Sequence, residues 1–207
     1  NGFDEFMSHV ILPQPYVWYV IRSGVTSESY PYAVNQPIFL DNVSVGGSLR
    51  IGGYEIGNGY QDVYDIWRLV PVESNEPVAE GEEIKPWEQT FAIQSLGTGQ
   101  YWGKYNGQGT ANSPVMESEP TPYHIYFYGN GCFALQQEGV KDPFDRIKAD
   151  GTEFVVLNYP ANGDHQQAWR FDDVLENSGD MVNINWFPAQ STSIITLPFD
   201  LTGDYAL

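Results

Sequence analysis

The chain is poor in cysteine and histidine. Among its 207 residues there are three histidines and a single cysteine, Cys132. One cysteine excludes an intrachain disulfide, and no Cys/His array has the spacing of a zinc site, so we expect no metal and no cofactor. Cys132 lies between Gly131 and Phe133 at the start of an apolar stretch. That setting indicates a buried, inert thiol rather than a nucleophile.

Positive charge is also scarce. Nine basic residues face 27 acidic ones, giving a formal net charge of −18. This field repels phosphate backbones, and no Lys/Arg cluster offsets it, so nucleic acid is not an expected partner. No run of 18 apolar residues occurs, so we expect no membrane insertion. The chain starts at Asn1, as after removal of a signal or anchor segment. We therefore expect a secreted, periplasmic or cell-surface protein, although a trimmed chain would start in the same way.

Catalytic motifs are missing as well. No G-x-S-x-G turn lies near His9, His124 or His165. The glycines of 97–99 precede the strand-like Tyr101-Trp102 rather than a helix, so they do not form a phosphate loop. With 27 acidic residues, some carboxylate pair always suits a glycosidase, so such pairs carry no information. We expect no enzymatic activity.

Aromatic and turn-forming residues are abundant. The chain has 6 Trp, 14 Tyr and 11 Phe, together with 21 Gly and 14 Pro. Many aromatic residues between frequent turns indicate many short strands. The length suits one domain that buries its own core. The sequence therefore predicts an all-β fold.

Three segments open alike, at 19–24, 91–97 and 133–139. Each runs aromatic, any residue, aliphatic, polar, and then reaches glycine. Such alternation places the aromatic and the aliphatic side chain on one buried face of a strand. Self-similarity of this kind predicts an internally repeated fold.

Three segments also close alike, at 65–69, 124–128 and 167–171. Each runs polar, any residue, large aromatic, any residue, large apolar. We therefore place the repeats at 18–72, 89–129 and 131–174, and expect two further strands inside each. These inner strands are predicted at 32–34, 49–51, 101–105, 115–117, 145–148 and 154–158, with one helical turn over 144–148 as an alternative. Twelve strands closed into a barrel with a hairpin cap leave no free sheet edge.

Three segments lie outside the repeats. Residues 73–88 contain six glutamates and one lysine, which is typical of a solvated loop. Their spacing does not match a calcium loop. Residues 1–17 are interpreted as an N-terminal arm. Residues 175–207 are interpreted as a C-terminal extension that adds a strand, or as the start of a following domain.

The closing segment of the third repeat carries a family resemblance. Gln167-Ala168-Trp169, followed by Phe171, resembles the Q-x-W signature of ricin-type β-trefoil lectins. The segments 18–24 and 65–69 are similar to trefoil modules of secreted bacterial carbohydrate-active proteins. The resemblance covers roughly residues 18–174. It implies a β-trefoil with three pseudo-repeats of about four strands each.

The first two repeats depart from the family pattern. Asp65 stands where the family has Gln, and the second repeat has His124 and Tyr126. Sugar binding is therefore expected chiefly in the third repeat. The resemblance also implies that the aromatic residue of each closing segment belongs to the core: Trp67, Tyr126 and Trp169.

The resemblance implies a noncatalytic, lectin-like carbohydrate-binding module. Its implied sugar-binding residues in the third repeat are Asp145, Tyr159, Asn162, Gln166 and Gln167. A carboxylate accepts hydrogen bonds from two sugar hydroxyls, an aromatic face packs on the C–H side of a pyranose, and an amide both donates and accepts. The simpler interpretation is that Asn162-Gly163 only forms a turn.

Two other functions fit the same pattern. A trefoil that lost sugar binding would serve as a protein-interaction or spacer module. The chain could also be an accessory domain of a glycoside hydrolase. The expected partner is thus a glycan or oligosaccharide, with another protein domain as the alternative. Convergence of Asp145, Tyr159 and Asn162 on one open pocket would favour the glycan.

Overall fold

The computed structural model describes residues 2–25, 33–41, 43–51, 63–105, 113–140, 146–149, 155–158 and 167–174, with only the backbone for 155–158. These residues form one α-helix and twelve strands. The elements are α1 Gly2–Ser8, β1 Trp18–Ser23, β2 Ile38–Asp41, β3 Ser48–Ile51, β4 Ile66–Pro71, β5 Phe91–Ser95, β6 Tyr101–Trp102, β7 Met116–Glu117, β8 Tyr123–Gly129, β9 Cys132–Gln137, β10 Arg146–Ala149, β11 Val155–Asn158 and β12 Trp169–Asp173. The described part of the chain is therefore mostly β, with one α-helix. In this described part, no helix has the length and apolar character needed to cross a membrane.

Six of the strands close into a ring. β1 pairs with β4, β4 with β5, β5 with β8, β8 with β9, β9 with β12, and β12 returns to β1, every pair being antiparallel. A closed ring pairs both edges of each strand, which removes edges open to other chains. The ring is the barrel of this protein.

The other six strands form three antiparallel hairpins, β2–β3, β6–β7 and β10–β11. Each hairpin is inserted between two barrel strands. We call β1–β4 the first unit, β5–β8 the second and β9–β12 the third. In each unit the first and fourth strands belong to the barrel, and the second and third form the hairpin.

One buried aromatic ring in each unit donates a hydrogen bond to a carbonyl on or beside the hairpin. Trp67 Nε1 donates to the Ile38 carbonyl at 3.0 Å, and Trp169 Nε1 donates to the Ile147 carbonyl at 2.9 Å. In the second unit the Tyr123 hydroxyl donates to the Gly103 carbonyl at 2.7 Å. All three rings are fully buried. They join each hairpin to the barrel through the hydrophobic core.

The predicted core position of Tyr126 is wrong. Trp67 and Trp169 lie in the core, but the Tyr126 side chain is 38% exposed and stacks on His124 outside the barrel. The core position belongs to Tyr123, three residues earlier. Alternation along β8 turns Tyr123 and Ile125 inward, so His124 and Tyr126 point outward.

The buried polar residue of each closing segment shows the same register. Asp65, Thr121 and Gln167 each precede the core ring by two residues, and all three are buried. The second unit therefore aligns through Thr121 and Tyr123, not through His124 and Tyr126. A tyrosine at both 123 and 126 made the two registers look alike in the sequence.

One predicted inner strand is also wrong. Ala33 and Val34 lie in a turn, and the first hairpin strand begins at Ile38. Asn35 has a positive φ of 59°, a conformation that interrupts a strand. The other five predicted inner strands overlap observed ones. Residues 146–148 belong to strand β10 and not to the helical turn that was the alternative over 144–148.

The N-terminal arm and the acidic segment 73–88 make specific contacts with the barrel strands and the third unit. In the N-terminal arm, the Tyr16 amide donates to the Leu69 carbonyl at 2.8 Å, next to a bridge between Pro15 and Leu69. In the acidic segment, the Asn75 side chain and amide donate to the Glu138 carboxylate, and so does the Ser74 hydroxyl. Residues 175–207 lie outside the described residues, so their predicted role stays a prediction.

We expect Trp169→Phe to be more destabilising than Trp102→Phe. Both indoles are fully buried, so both changes leave a similar cavity. Trp102 Nε1 has no hydrogen-bond partner among the residues that the structure describes. Only Trp169→Phe therefore leaves a carbonyl, that of Ile147, without its donor. The difference in free energy of unfolding should be about 1–2 kcal/mol, measured by urea denaturation. Equal losses would contradict the anchoring role of the ring.

We expect Glu138→Gln to reduce the pH dependence of stability in acid. Partial burial disfavours the charged carboxylate, but hydrogen bonds from Ser74 and Asn75 together outweigh it and lower the pKa from 4.5. A lowered folded-state pKa stabilises the fold above the unfolded pKa, and this contribution is lost as pH falls through the folded pKa.

The melting temperature of the wild type should therefore exceed that of Glu138→Gln at about pH 6 and converge with it near about pH 3. Glu80→Gln is the matched control, because Glu80 is exposed in the same acidic segment and makes no hydrogen bond within the described residues. A constant difference between wild type and Glu138→Gln across this range would contradict the assignment.

Candidate functional site

Of the five sugar-binding residues predicted in the third repeat, the structure describes only Gln167. Asp145, Tyr159, Asn162 and Gln166 lie outside the described residues. Gln167 is 5% exposed, so its side chain lies beneath the surface. Its burial matches that of Asp65 and Thr121 and indicates a structural position. Convergence of the other four residues stays a prediction.

A cleft of about 570 Å³ opens on the described surface where the first and third units meet. We call it the inter-unit cleft. Four chain segments line it: 23–25 after β1, 34–35 before the first hairpin, 128–132 around the β8–β9 turn, and 168–170 at the start of β12. Its size is in the range of small-molecule sites, roughly 300–1,000 Å³.

Gly24 lies at the base of the cleft. In each unit, the amide at the end of the first strand donates to the carbonyl that precedes a core ring. The three pairs are Gly24 to Ala168 at 2.7 Å, Leu96 to Ile66 at 3.0 Å and Glu138 to Pro122 at 2.9 Å. At the position equivalent to Gly24, the Glu138 carboxylate accepts hydrogen bonds from Asn75. Gly24 has no side chain, and the cleft opens beside it.

The space above Gly24 is narrow at its base. A Cβ atom on this residue would lie 2.9 Å from both the Cys132 Sγ and the Ala168 Cβ. Contacts under 3.0 Å force a shift of the neighbours. The base of the cleft is thus closely packed, whereas the space above the base is open.

Arg170 and Asn35 form the polar wall. Arg170 Nη2 donates to Asn35 Oδ1 at 2.6 Å, and Nε and Nη2 donate to the two carboxylate oxygens of Asp172 at 2.7 and 2.9 Å. The hydrogen bonds to Asp172 raise the pKa of Arg170, so it stays charged. Arg22 lies 3.2 Å from the same carboxylate. This network fixes the guanidinium and the amide in place, and Asn35 Nδ2 has no protein partner within the described residues.

The β8–β9 turn forms the opposite wall. Gly129, Asn130 and Gly131 have positive φ angles of 119°, 52° and 72°, so the chain reverses tightly and presents Tyr128 and Asn130 beside the cleft. At the base, burial raises the pKa of the Cys132 thiol, which keeps it protonated at neutral pH. Cys132 is 8% exposed, in agreement with the inert thiol expected from the sequence.

The arrangement suits hydrogen bonding to a neutral, polyhydroxylated ligand. Hydroxyl, amide and guanidinium groups supply both donors and acceptors around a concave surface. In the part of the chain that the structure describes, no three His, Cys, Asp or Glu side chains form a metal-binding group. Sequence reasoning missed this cleft. Its one signal is Gly24, which replaces the longer side chains that Leu96 and Glu138 place at the equivalent positions.

Comparisons with known proteins bear on the fold. No protein-family model matches the sequence, and neither does any curated protein. Among solved structures, the Macrolepiota procera ricin B-like lectin in complex with lactose is 13% identical, with a TM-score of 0.52 over 79% of this chain and 99% of that one. A β-trefoil named BEL, in an apo crystal form, is 14% identical, with a TM-score of 0.51 over 79% of this chain and 97% of that one.

The Rhizoctonia solani agglutinin is 18% identical, with a TM-score of 0.49 over 79% of this chain and 99% of that one. At these identities the likeness concerns the fold alone, and it rests on the first two structures. A closed six-stranded barrel with three hairpins agrees with them. The chain therefore has the β-trefoil fold of the ricin B-like lectins, as the resemblance in its sequence implied.

Proposed function

We propose that the chain is a noncatalytic, lectin-like carbohydrate-binding module of a secreted or cell-surface protein, built from three pseudo-repeats. The observation that carries this proposal is the inter-unit cleft, an open site lined by amide, hydroxyl and guanidinium groups. The fold supports it, because a solved structure with the same fold is a lectin in complex with lactose. Fold alone does not determine function, so the cleft is the stronger support.

The chemistry of the cleft favours a neutral sugar. Arg170 is already paired with Asp172, so its charge is compensated and no strong anion site results. The unpartnered Nδ2 of Asn35 can donate to a hydroxyl, while Asn130 and Tyr128 lie on the facing wall. Sugar hydroxyls both donate and accept, which matches such a mixed set of groups.

The pocket predicted in the third repeat is a second proposed site. Asp145, Tyr159, Asn162 and Gln166 would line it, with Gln167 beneath. Two shallow sites on one module would strengthen retention on a polymeric glycan, because the second contact becomes intramolecular. Single sites of this kind bind weakly.

We expect saturable binding of lactose or another neutral oligosaccharide, detected by calorimetric titration at millimolar concentrations. Cys132 is the only cysteine and lies at the base of the cleft, so it reports occupancy. This buried, protonated thiol reacts slowly, so its alkylation is followed at alkaline pH over hours. Ligand in the cleft should slow the alkylation of Cys132 several-fold further, because it covers the sulfur.

Two results would redirect the proposal. If no saccharide in a broad panel binds, the protein-interaction or spacer function replaces glycan binding. If a sugar binds while Cys132 alkylation is unchanged and Asp145→Ala abolishes binding, the site is the third-repeat pocket rather than the cleft.

Asn35→Asp should weaken neutral-sugar binding about tenfold. The change keeps the oxygen that Arg170 contacts but removes the Nδ2 donor, and one lost hydrogen bond is of that size. Gln14→Glu is the matched control, because it also changes an exposed amide to a carboxylate and lies outside the cleft. Equal affinity in Asn35→Asp and wild type, measured by the same titration, would remove Asn35 from the site.

A further inference from the structure

A row of polar and aromatic side chains crosses the outside of the barrel. Trp18 lies directly opposite Arg68, Arg68 opposite Gln94, and Gln94 opposite Tyr101. Residues directly opposite each other in antiparallel strands project from the same face of the sheet. We call these four residues, together with the neighbouring Tyr16, the outer row. It is remote from the inter-unit cleft, since the two share no residue.

Arg68 is held flat in this row. Its guanidinium carbon lies 4.8 Å from the ring centre of Trp18 and 5.8 Å from that of Tyr16. Its Nε donates to Gln94 Oε1 at 2.7 Å, and Gln94 Nε2 is itself held by the Gly99 carbonyl at 2.9 Å. The two Nη groups have no hydrogen-bond partner among the described residues. They form a fixed, outward-facing pair of donors.

Within the described residues no carboxylate forms an ion pair with Arg68, and the same holds for Lys104 and Arg146. Four other basic residues, Arg22, Arg50, Lys85 and Arg170, each have a carboxylate oxygen within 3.2 Å. Arg68 has no such ion pair within the described residues, although the chain carries 27 acidic groups. The nearest acid along the row is Glu117, opposite Tyr101, which is three strand spacings or roughly 14 Å from Arg68.

Tyr16 is presented beside Arg68 at a cost in backbone strain. Its side chain is 53% exposed, and its φ of 61° is uncommon for a bulky residue. A hydrogen bond from its amide to the Leu69 carbonyl, next to the Pro15–Leu69 bridge, holds it there. Strained residues of this kind cluster at binding sites. The N-terminal arm thus adds an open aromatic face to the arginine.

We propose that the outer row binds an acidic saccharide through the carboxylate of a uronic acid residue. The planar guanidinium matches a carboxylate with two parallel hydrogen bonds. The Tyr16 ring covers the C–H face of the same sugar, a contact that an acidic peptide side chain does not make. Gln94 and Tyr101 continue the row for the next sugar. This site is independent of the neutral-sugar cleft.

The test uses the whole chain and two matched ligands, tetragalacturonate and its fully methyl-esterified form, with titration by calorimetry. The titrations are run at about 0.15 M salt, which screens the repulsion between the net charge of −18 and the acid beyond about 8 Å. Wild type should bind the acid at least about tenfold more tightly than the ester, because only the acid pairs with Arg68. Arg68→Met keeps the apolar stem between the rings and should remove this preference. Glycine tolerates the positive φ at position 16, so Tyr16→Gly should remove only the ring and weaken binding of the acid about tenfold.

Arg146→Met is the matched control, because Arg146 also stacks on an aromatic ring, that of Tyr126, at 4.8 Å. It should bind the acid like wild type. Circular dichroism melting identifies any variant that has lost its fold. If Arg68→Met unfolds, Arg68→Gln replaces it, with the same expected loss of the preference for the acid. Equal binding of acid and ester, or no binding of either by the wild type, would overturn the proposal.

Two further results would also overturn it. One is an equal loss of affinity in Arg146→Met. The other is competition by inorganic sulfate at the same affinity as tetragalacturonate, which would reduce the row to a simple anion site. Because neutral sugars are titrated separately, failure here leaves the cleft untouched, and failure at the cleft leaves the outer row untouched.

Discussion

The structure depends on three hydrogen bonds made by buried aromatic rings. Trp67, Tyr123 and Trp169 each donate from the core to a carbonyl on or beside a hairpin. A hairpin alone is marginally stable, so the barrel must hold it. Each ring buries apolar surface and has its one N–H or O–H group hydrogen-bonded. Burying that polar group in a dry core therefore costs little free energy. The surfaces proposed for binding lie on this rigid frame.

The sequence predicts much of this frame, for identifiable reasons. The patterns around Trp67 and Trp169 are alike, so their burial follows from alternation and bulk. In the second unit the sequence predicts the wrong core residue, because Tyr123 and Tyr126 both fit the position of a large aromatic residue. They differ by an odd number of residues and so occupy opposite faces of β8. Only the pairing of β8 with its neighbours shows which face is inside.

The candidate sites were harder to predict. The inter-unit cleft has walls that come from four segments distant in sequence, so no local pattern marks it. The outer row depends on register across four strands and on the arm that places Tyr16. Sequence alone gives neither. Each proposed site contains one arginine. Arg170 in the cleft is paired with Asp172, whereas Arg68 on the barrel wall has no ion pair within the described part of the chain.

The central claim is that neutral sugars occupy the inter-unit cleft of a lectin-like fold. The most direct measurement is amide chemical-shift mapping by NMR during titration with a neutral oligosaccharide. We predict saturable shifts in residues 23–25, 34–35, 128–132 and 168–170, with a second set only at the proposed third-repeat pocket and the indole signals of Trp67 and Trp169 unchanged. Saturable binding that leaves these four segments unperturbed would contradict this claim.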